Sequence, residues 1–299
     1  MKQSTRKFLK EARRTDDYSL FDLLHGWFYL RFPYLYISLG KGDHPASAKL
    51  RGFLSLISKV FPKKKDRNIK NEVNAWANSY HGKVVTLESA SELVSIKEDI
   101  SLRNLEQIIP YDRARDIILK NPDHIAVIDC PCRKGKDNYC KPLDVCLIVG
   151  EPFVSFVMEH HADSARRIDA SEARDILRQE NERGHVHHAY FKDAVLNRFY
   201  AICNCCECCC GAMQAQRNGT PMIISSGYVA VIEESTCIAC GHCGEVCQFH
   251  AIKLDTLAQI DVAICMGCGV CVNHCPEKAI SLVRDLEKPA PLEISSLIQ

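Results

Sequence analysis

Between residues 120 and 205, short apolar runs alternate with amphipathic stretches. The runs HIAVIDC (124–130) and VCLIVG (145–150) are apolar over strand-like lengths, and each has a cysteine at or near one end. They predict short buried strands. VLNRFYAIC (195–203) predicts another strand, which delivers the chain into the dense cysteine run AICNCCECCCGAM (201–213).

Two helices are predicted between these strands. EPFVSFVMEHH (151–161) is one, and DASEARDILRQENERG (169–184) is a clearer one. In the second, Asp169 lies three residues before Glu172, as in a capping box, and Gly184 supplies a C-terminal stop. The region from about 81 to 225 is therefore predicted to be a mixed α/β domain.

An apolar stretch near the N-terminus, residues 18–40, is long enough to raise the question of a membrane span. Asp22, His25, Arg31 and Pro33 argue against a span, since each charge near the bilayer centre costs about 2.5–3.5 kcal/mol. One alternative is a helix pair at the membrane surface, with aromatic rings at headgroup depth and lysines near anionic lipid: Trp27, Tyr29, Tyr34, Tyr36, Lys63, Lys64 and Lys65. The other alternative is that the aromatic residues pack into the core or against a partner subunit.

Charge is unevenly distributed along the chain. Residues 1–70 hold 16 Lys and Arg against 6 Asp and Glu, whereas the remaining residues hold 22 against 31. A basic N-terminal segment followed by an acidic remainder of the chain indicates a docking surface in that segment. Without a recognisable nucleic-acid-binding motif, we expect no nucleic-acid partner.

Composition divides the chain into three predicted regions, and the fold class is predicted as α+β. Residues 1–80 form a helical, basic and aromatic region for docking or membrane-surface contact. Residues 81–225 form a cysteine-rich metal-binding domain, and residues 226–299 form a domain with an internal repeat. The N-terminus lacks an apolar segment with a cleavage site, so we expect a cytoplasmic protein, with peripheral membrane association as an option. In a reducing compartment, the 18 cysteines indicate metal or redox chemistry.

The repeat consists of CIACGHCGEVCQFHAI and, 28 residues later, CMGCGVCVNHCPEKAI. Both have the pattern C-x2-C-x2-C-x3-C followed at the same offset by Ala-Ile. Three thiolates two residues apart can reach three irons of one cubane, and the fourth cysteine ligates the other cluster. A zinc site would use two C-x2-C pairs, which does not explain a doubled run of four cysteines.

Residues 228–283 thus resemble the bacterial two-cluster ferredoxins. The resemblance implies a βαββαβ fold, two [4Fe-4S] clusters and transfer of single electrons. It also implies the ligands: Cys237, Cys240, Cys243 and Cys275 for cluster one, and Cys265, Cys268, Cys271 and Cys247 for cluster two. Gln248 departs from the family pattern, which has proline there. We expect His242, His250 and His274 to be ordinary polar residues rather than ligands.

The remaining ten cysteines lie before the repeat: Cys130, Cys132, Cys140, Cys146, Cys203, Cys205, Cys206, Cys208, Cys209 and Cys210. They provide enough ligands for one or two further iron–sulfur clusters. The alternative is that they are buried thiols without a metal. In an extended segment, Cys203 and Cys205 would share one face, and Cys206, Cys208 and Cys210 the other. Residues 130–283 also resemble a group of larger iron–sulfur proteins of anaerobic microbes, which have C-P-C-R and C-N-C-C-x-C-C-C segments before the ferredoxin repeat.

Other side chains near these cysteines have two interpretations. Arg133, Lys134, Lys136 and Lys141 either stabilise thiolates and a reduced cluster, or form a solvated basic loop. His185, His187 and His188 have an alternate spacing, which fits a half-exposed strand better than metal ligation.

The sequence predicts an electron-transfer protein, as a subunit of an anaerobic redox complex with a donor and an acceptor protein as partners. It shows no flavin, NAD or nucleotide fingerprint, and no catalytic residue is assigned. One alternative is an iron–sulfur oxidoreductase that acts on a disulfide or thiol at a cluster of the middle domain. Another is a metal-responsive binding module.

Overall fold

The computed structural model describes residues 1–47 and 78–298, and within them the chain forms eleven helices and twelve strands. The strands of the main sheet are β1 Tyr80–Val85, β2 Ile100–Leu102, β3 Ile117–Asp129, β4 Asp144–Glu151, β5 Ala165–Ile168, β6 Val186–Lys192, β7 Arg198–Cys205 and β8 Ile223–Ile224. The helices before and between them are α1 Gln3–Ala12, α2 Leu20–Arg31, α3 Pro33–Lys41, α4 Leu87–Leu93, α5 Pro131–Lys134, α6 Phe153–His160, α7 Ala170–Glu182 and α8 Gly211–Arg217. Lys63, Lys64 and Lys65 lie outside the described residues.

The strands pair in the order β2-β3-β4-β7-β6-β1-β8, with β5 also pairing with β3. The pairs are antiparallel except β1–β8, which is parallel. Cys146 of β4 and Cys203 of β7 are direct partners across the sheet, so they project to the same face. The register thus brings together cysteines from two separate sequence segments.

Each side of the main sheet has its own apolar core. Phe8 of α1, Tyr29 of α2 and Phe156 of α6 belong to the core that also includes buried cysteines. Leu93 of α4 and Leu177 of α7 belong to the other core. The buried cysteines of the first core therefore lie under the N-terminal helices: Cys130, Cys146, Cys205 and Cys210.

The predicted helix at 169–184 is confirmed as α7. Asp169 is its N-cap and accepts a hydrogen bond from the backbone N–H of Glu172 at 2.8 Å. Gly184 follows the helix with φ of +78°, a left-handed conformation that favours glycine.

The aromatic residues of the N-terminal stretch point mostly inward. Tyr29 is buried, and its hydroxyl lies 2.7 Å from that of Tyr200 on β7. Trp27 and Tyr36 are partly buried against the same core. Lys192 is also buried, and its Nζ lies 5.0–5.6 Å from the ring centroids of three tyrosines, a cation–π arrangement: Tyr29, Tyr36 and Tyr80. Core packing therefore accounts for these rings.

Other apolar side chains of α2 face outward. Leu20, Phe21 and Leu24 are 71%, 75% and 60% exposed. No helix in residues 1–47 and 78–298 is long and apolar enough to cross a bilayer. Peripheral membrane association, for which this face is the candidate, stays a prediction.

The C-terminal region forms a βαββαβ unit. Its elements are β9 Tyr228–Ile232, α9 His242–Glu245, β10 Ile252–Leu254, β11 Ala258–Ile260, α10 Val270–Asn273 and β12 Ile280–Arg284. Strand β9 pairs with β12, and β10 pairs with β11, both antiparallel. This is the fold expected from the ferredoxin resemblance.

After β12 the chain returns to the middle domain. The backbone N–H of Ala290 donates to the carbonyl of Gln107 at 2.6 Å. Leu292 and Ile294, at the start of helix α11 Ile294–Leu297, are buried in the core on the α4–α7 side of the sheet. The last residues thus belong structurally to the middle domain rather than to the repeat.

A close approach between α2 and the β6–β7 turn requires a glycine, and this generates a prediction. A Cβ on Gly26 would lie 1.7 Å from the carbonyl oxygen of Ala194. We expect Gly26→Ala to displace α2 and to lower the free energy of unfolding by about 1–3 kcal/mol, as overpacking does. Anaerobic denaturant unfolding measures this change.

The matched control is Gly40→Ala, because Gly40 lies in helix α3 and a Cβ there would meet nothing within 4 Å. We expect this substitution to be neutral or to stabilise by about 0.5–1 kcal/mol, since alanine favours the helix. Equal effects of the two substitutions would contradict the tight contact at Gly26.

Candidate metal centres

The two halves of the C-terminal unit repeat in backbone conformation at the 28-residue offset. Gly241 and Gly269 are the N-caps of α9 and α10, with φ of +78° and +80°. His250 and Lys278 both have φ of +54°. These left-handed residues give each cysteine loop the same tight curl.

The Ala-Ile pair that follows each four-cysteine motif has a structural reason. The backbone N–H of Ala251 donates to the Sγ of Cys247 at 3.3 Å, and that of Ala279 donates to the Sγ of Cys275 at 3.3 Å. Hydrogen bonds to a sulfur stabilise its thiolate form. The fourth cysteine of each motif is therefore oriented by the residue four positions later.

The eight cysteines of the repeat line two separate cavities. One is bordered by Cys237, Cys240, Cys243 and Cys275. The other is bordered by Cys247, Cys265, Cys268 and Cys271. In each cavity, three cysteines come from one motif and the fourth from the other motif.

The other ten cysteines separate into two groups, and the larger group lies beneath the N-terminal helices. The deep group consists of Cys130, Cys132, Cys146, Cys203, Cys205 and Cys210. Its members interact in a continuous series, Cys203–Cys146–Cys130–Cys132–Cys210–Cys205. Hydrogen bonds from Cys132 and Cys205 hold the pKa of Cys210 well below its usual value, although burial acts in the opposite direction. A thiolate is the form that binds metal.

All six thiols of the deep group border a cavity of about 70 Å³. Its other walls include Tyr29, Tyr80 and Tyr190, and the hydroxyl of Tyr190 lies 3.6 Å from the Sγ of Cys210. Several sulfurs around one cavity are the donor set that iron–sulfur clusters take. The residues present therefore fit such a cluster.

The smaller group consists of Cys140, Cys206, Cys208 and Cys209, whose sulfurs all lie within 4.8 Å of one another. Burial raises the pKa of Cys140 to about 11. Burial acts in the same direction on Cys208, but hydrogen bonds with the three other thiols outweigh it and lower the pKa of Cys208.

The prediction that Cys210 shares a face with Cys206 and Cys208 is wrong, whereas Cys206 and Cys208 do lie in a different group from Cys203 and Cys205. Strand β7 ends at Cys205, and the chain then turns, with the N–H groups of Cys209 and Cys210 donating to the carbonyl of Cys206. The turn returns Cys210 to the side of Cys203 and Cys205. Period-two alternation holds only while the backbone stays extended.

The interpretation of the basic loop as solvated fails for Arg133, which is 1% exposed. Its guanidinium donates to Glu180 at 2.6 Å, to the carbonyl of Asn204 at 3.0 Å and to the carbonyl of Pro142 at 2.5 Å. Burial raises the pKa of Glu180, but the His185 hydrogen bond and the Arg133 charge outweigh it and hold that pKa below its usual range.

The other basic residues of this loop lie nearer the surface. Lys134 pairs with Asp129 at 2.7 Å, Lys136 donates to the carbonyl of Cys208, and Lys141 is exposed.

The expectation of a half-exposed strand at His185, His187 and His188 is also wrong. Every residue of β6 is buried, because β6 lies between β7 and β1 in the middle of the sheet. Burial lowers the pKa of His187 and of His188 to about 4. His187 Nδ1 lies 2.6 Å from the side-chain oxygen of Asn204, a structural contact.

Residues 236–280 match the family of 4Fe-4S dicluster domains. The C-terminal region is a ferredoxin-like 4Fe-4S module. No curated protein matches the chain significantly. The family match covers the repeat but not the ten thiols of the middle domain, so the resemblance of residues 130–283 to a larger iron–sulfur group stays a prediction.

The module contacts the middle domain through its second cavity. Val270, Met266 and Cys268 pack against the core that contains the deep group. Gln248, which departs from the family pattern, accepts a hydrogen bond from the backbone N–H of Glu207 at 2.9 Å. Glu207 lies between Cys206 and Cys208, so this contact joins the module directly to the cysteine run.

Two of the three repeat histidines also make interdomain contacts. His250 Nε2 lies 2.6 Å from the Glu207 carboxylate, and His274 Nε2 lies 2.9 Å from the carbonyl of Asn181. These contacts fit the expectation that the histidines are polar residues, and that expectation stays a prediction.

Sequence reasoning missed Glu180 and Tyr190, because no local pattern marks a buried partner of a distant arginine or cysteine.

We predict that Arg133→Met destabilises the protein by about 3 kcal/mol, the lower end of the range for breaking a buried ion pair. The lower end applies because Arg183 still pairs with Glu180 at 3.0 Å. Denaturant unfolding of the anaerobic protein measures the change. Arg178→Met is the control, since Arg178 pairs with Asp175 and Glu182 at the exposed surface, where ion pairs contribute little to stability. A loss at Arg133 no larger than at Arg178 would contradict the role assigned to Arg133.

Proposed function

We propose that this protein passes single electrons between partner proteins through three [4Fe-4S] clusters, two in the ferredoxin-like module and one at the deep group. The observation that carries the proposal is the packing of the second module cavity against the core containing the deep group. A cluster bound at each site would supply one-electron redox chemistry.

The protein's own residues contribute binding, shielding and orientation. Cys237, Cys240, Cys243 and Cys275 would hold cluster one, and Cys247, Cys265, Cys268 and Cys271 cluster two. Four of the six deep thiols, Cys146 among them, would hold the third cluster, which α2 and α3 cover. Tyr29, Tyr190 and Tyr200, all buried, would keep water from it.

The exposure of the cysteine sites implies a direction for the electron-transfer path. Cys240 is exposed, and the neighbouring Ile238 is 62% exposed, whereas Cys268 faces the middle domain. A redox partner would therefore dock at the cluster-one end. Electrons would then pass through cluster two towards the deep group, and the protein would serve as a subunit of a redox complex.

The fourth cysteine of each motif is assigned to the cluster of the other motif. This crossed ligation is tested by comparing serine variants in pairs. We expect Cys247→Ser to lose the same EPR signal as Cys268→Ser, although Cys247 belongs to the first motif. We expect Cys275→Ser to match Cys240→Ser instead. Each variant should lose about four irons. If Cys247→Ser matched Cys240→Ser, sequence-local ligation would replace the crossed assignment.

The third cluster is tested by counting acid-labile sulfide. We expect about twelve sulfides per chain in the anaerobic protein and about eight in Cys146→Ser, because each cubane holds four. Cys146 is chosen because it is buried at the centre of the deep group. A wild-type count of about eight would remove the third cluster and leave a two-cluster carrier.

A second function is favoured by the number of thiols in the deep group. A cubane needs four ligands, so two of the six thiols of the deep group stay uncommitted beside a cavity of about 70 Å³. They would suit an iron–sulfur oxidoreductase that exchanges electrons with a disulfide or thiol substrate. A change in the third cluster's EPR signal on adding a small disulfide would favour this function, and an unchanged signal would favour the carrier.

A further inference from the structure

The four thiols of the smaller group are packed more closely than the ligands of a cubane. The Sγ of Cys208 lies 3.0 Å from that of Cys140, 3.4 Å from that of Cys206 and 3.6 Å from that of Cys209. All six sulfur–sulfur separations are below 4.8 Å. Four sulfurs at 2.3 Å from one tetrahedral ion lie about 3.8 Å apart.

A cubane demands a wider arrangement. Each of its cysteines binds a different iron, so the four sulfurs lie beyond the corners of the cluster rather than around one point. The sulfur separations in this group therefore match a single ion better than a cluster. Tetrahedral coordination by four thiolates is typical of zinc or of a single iron.

Contacts other than sulfur–sulfur ones also hold these residues in place. Lys136 and Gln214 both donate to the carbonyl of Cys208, the latter at 3.1 Å. The N–H of Cys209 donates to the carbonyl of Cys206 at 3.3 Å, which closes the turn. The loop that carries Cys140 is thereby fastened to the turn after β7.

The charge and exposure of the group are consistent with an ion. Four thiolates around a divalent ion leave a net negative charge, and the Lys136 ammonium group lies beside it. Cys206 and Cys209 are buried, whereas Cys208 is exposed. An ion would therefore be sheltered on one side and accessible from solvent on the other.

We propose that Cys140, Cys206, Cys208 and Cys209 bind one tetrahedrally coordinated metal ion, zinc or iron, in a site distinct from the iron–sulfur clusters. Cys206 and Cys209 also border the cavity of the deep group, so the ion lies in the wall between that cavity and the surface. It fastens the loop carrying Cys140 to the turn after β7. This inference does not depend on electron transfer.

The test begins with the full-length protein purified anaerobically. Elemental analysis should find one metal ion per chain beyond the iron accounted for by sulfide. For zinc, X-ray absorption should show four sulfurs at about 2.3 Å and no neighbouring metal. For iron, Mössbauer spectroscopy should show a tetrahedral single-iron component in addition to the clusters.

Two variants then separate this site from the deep group. Cys208→Ser should lose this one ion and keep its acid-labile sulfide, whereas Cys146→Ser should lose sulfide and keep the ion. Because Cys208 is exposed, its substitution leaves the core intact. The wild-type spectra need no variant, so they test the site even if a variant misfolds.

Three results would overturn the proposal. Loss of about four irons and four sulfides from Cys208→Ser would assign a cubane to this group. An unchanged metal content would show that the four thiols bind no metal. A wild-type protein without an additional ion would lead to the same conclusion. Failure of the three-cluster proposal would instead appear as a low sulfide count with the ion still present.

Discussion

The buried ion pair between Arg133 and Glu180 is the interaction on which the cysteine-rich domain depends. A guanidinium in a dry interior is tolerable only when it is paired with an opposite charge and makes further hydrogen bonds. Arg133 meets this demand with one carboxylate and the carbonyls of Pro142 and Asn204. Those acceptors belong to α7, the loop before β4 and the end of β7, so a single side chain fastens the elements that carry the thiols.

Around this anchor the ten thiols divide into two groups. Strand pairing aligns Cys146 with Cys203, and the turn after Cys205 brings Cys210 back beside them. The same turn directs Cys206, Cys208 and Cys209 towards Cys140 near the surface. One short cysteine run therefore serves two sites with different sulfur spacing. The ferredoxin-like module, placed by the contact between Gln248 and Glu207, faces both of them.

Sequence patterns predicted those parts of the fold that are determined by residues close together in the chain. The four-cysteine spacing and its 28-residue repeat supported the ferredoxin resemblance, which implied the βαββαβ unit, and the Asp169 cap and Gly184 stop predicted α7. The predictions that failed depended on neighbours distant in the chain. β6 was expected to be half exposed because its histidines alternate, but the strands on either side bury it completely. Arg133 is basic in a loop, yet its partner Glu180 lies 47 residues away.

The sequence by itself determined that this is an iron–sulfur protein, because C-x2-C-x2-C-x3-C loops, whose spacing suits a cubane, are encoded within a few residues. It also determined that ten further thiols crowd into two segments of the middle domain. Only the tertiary structure decided how those thiols group, since β-strand register and one backbone turn set which sulfurs approach each other. A residue's partner across a sheet depends on pairing between segments far apart in the chain, and no spacing within either segment specifies it.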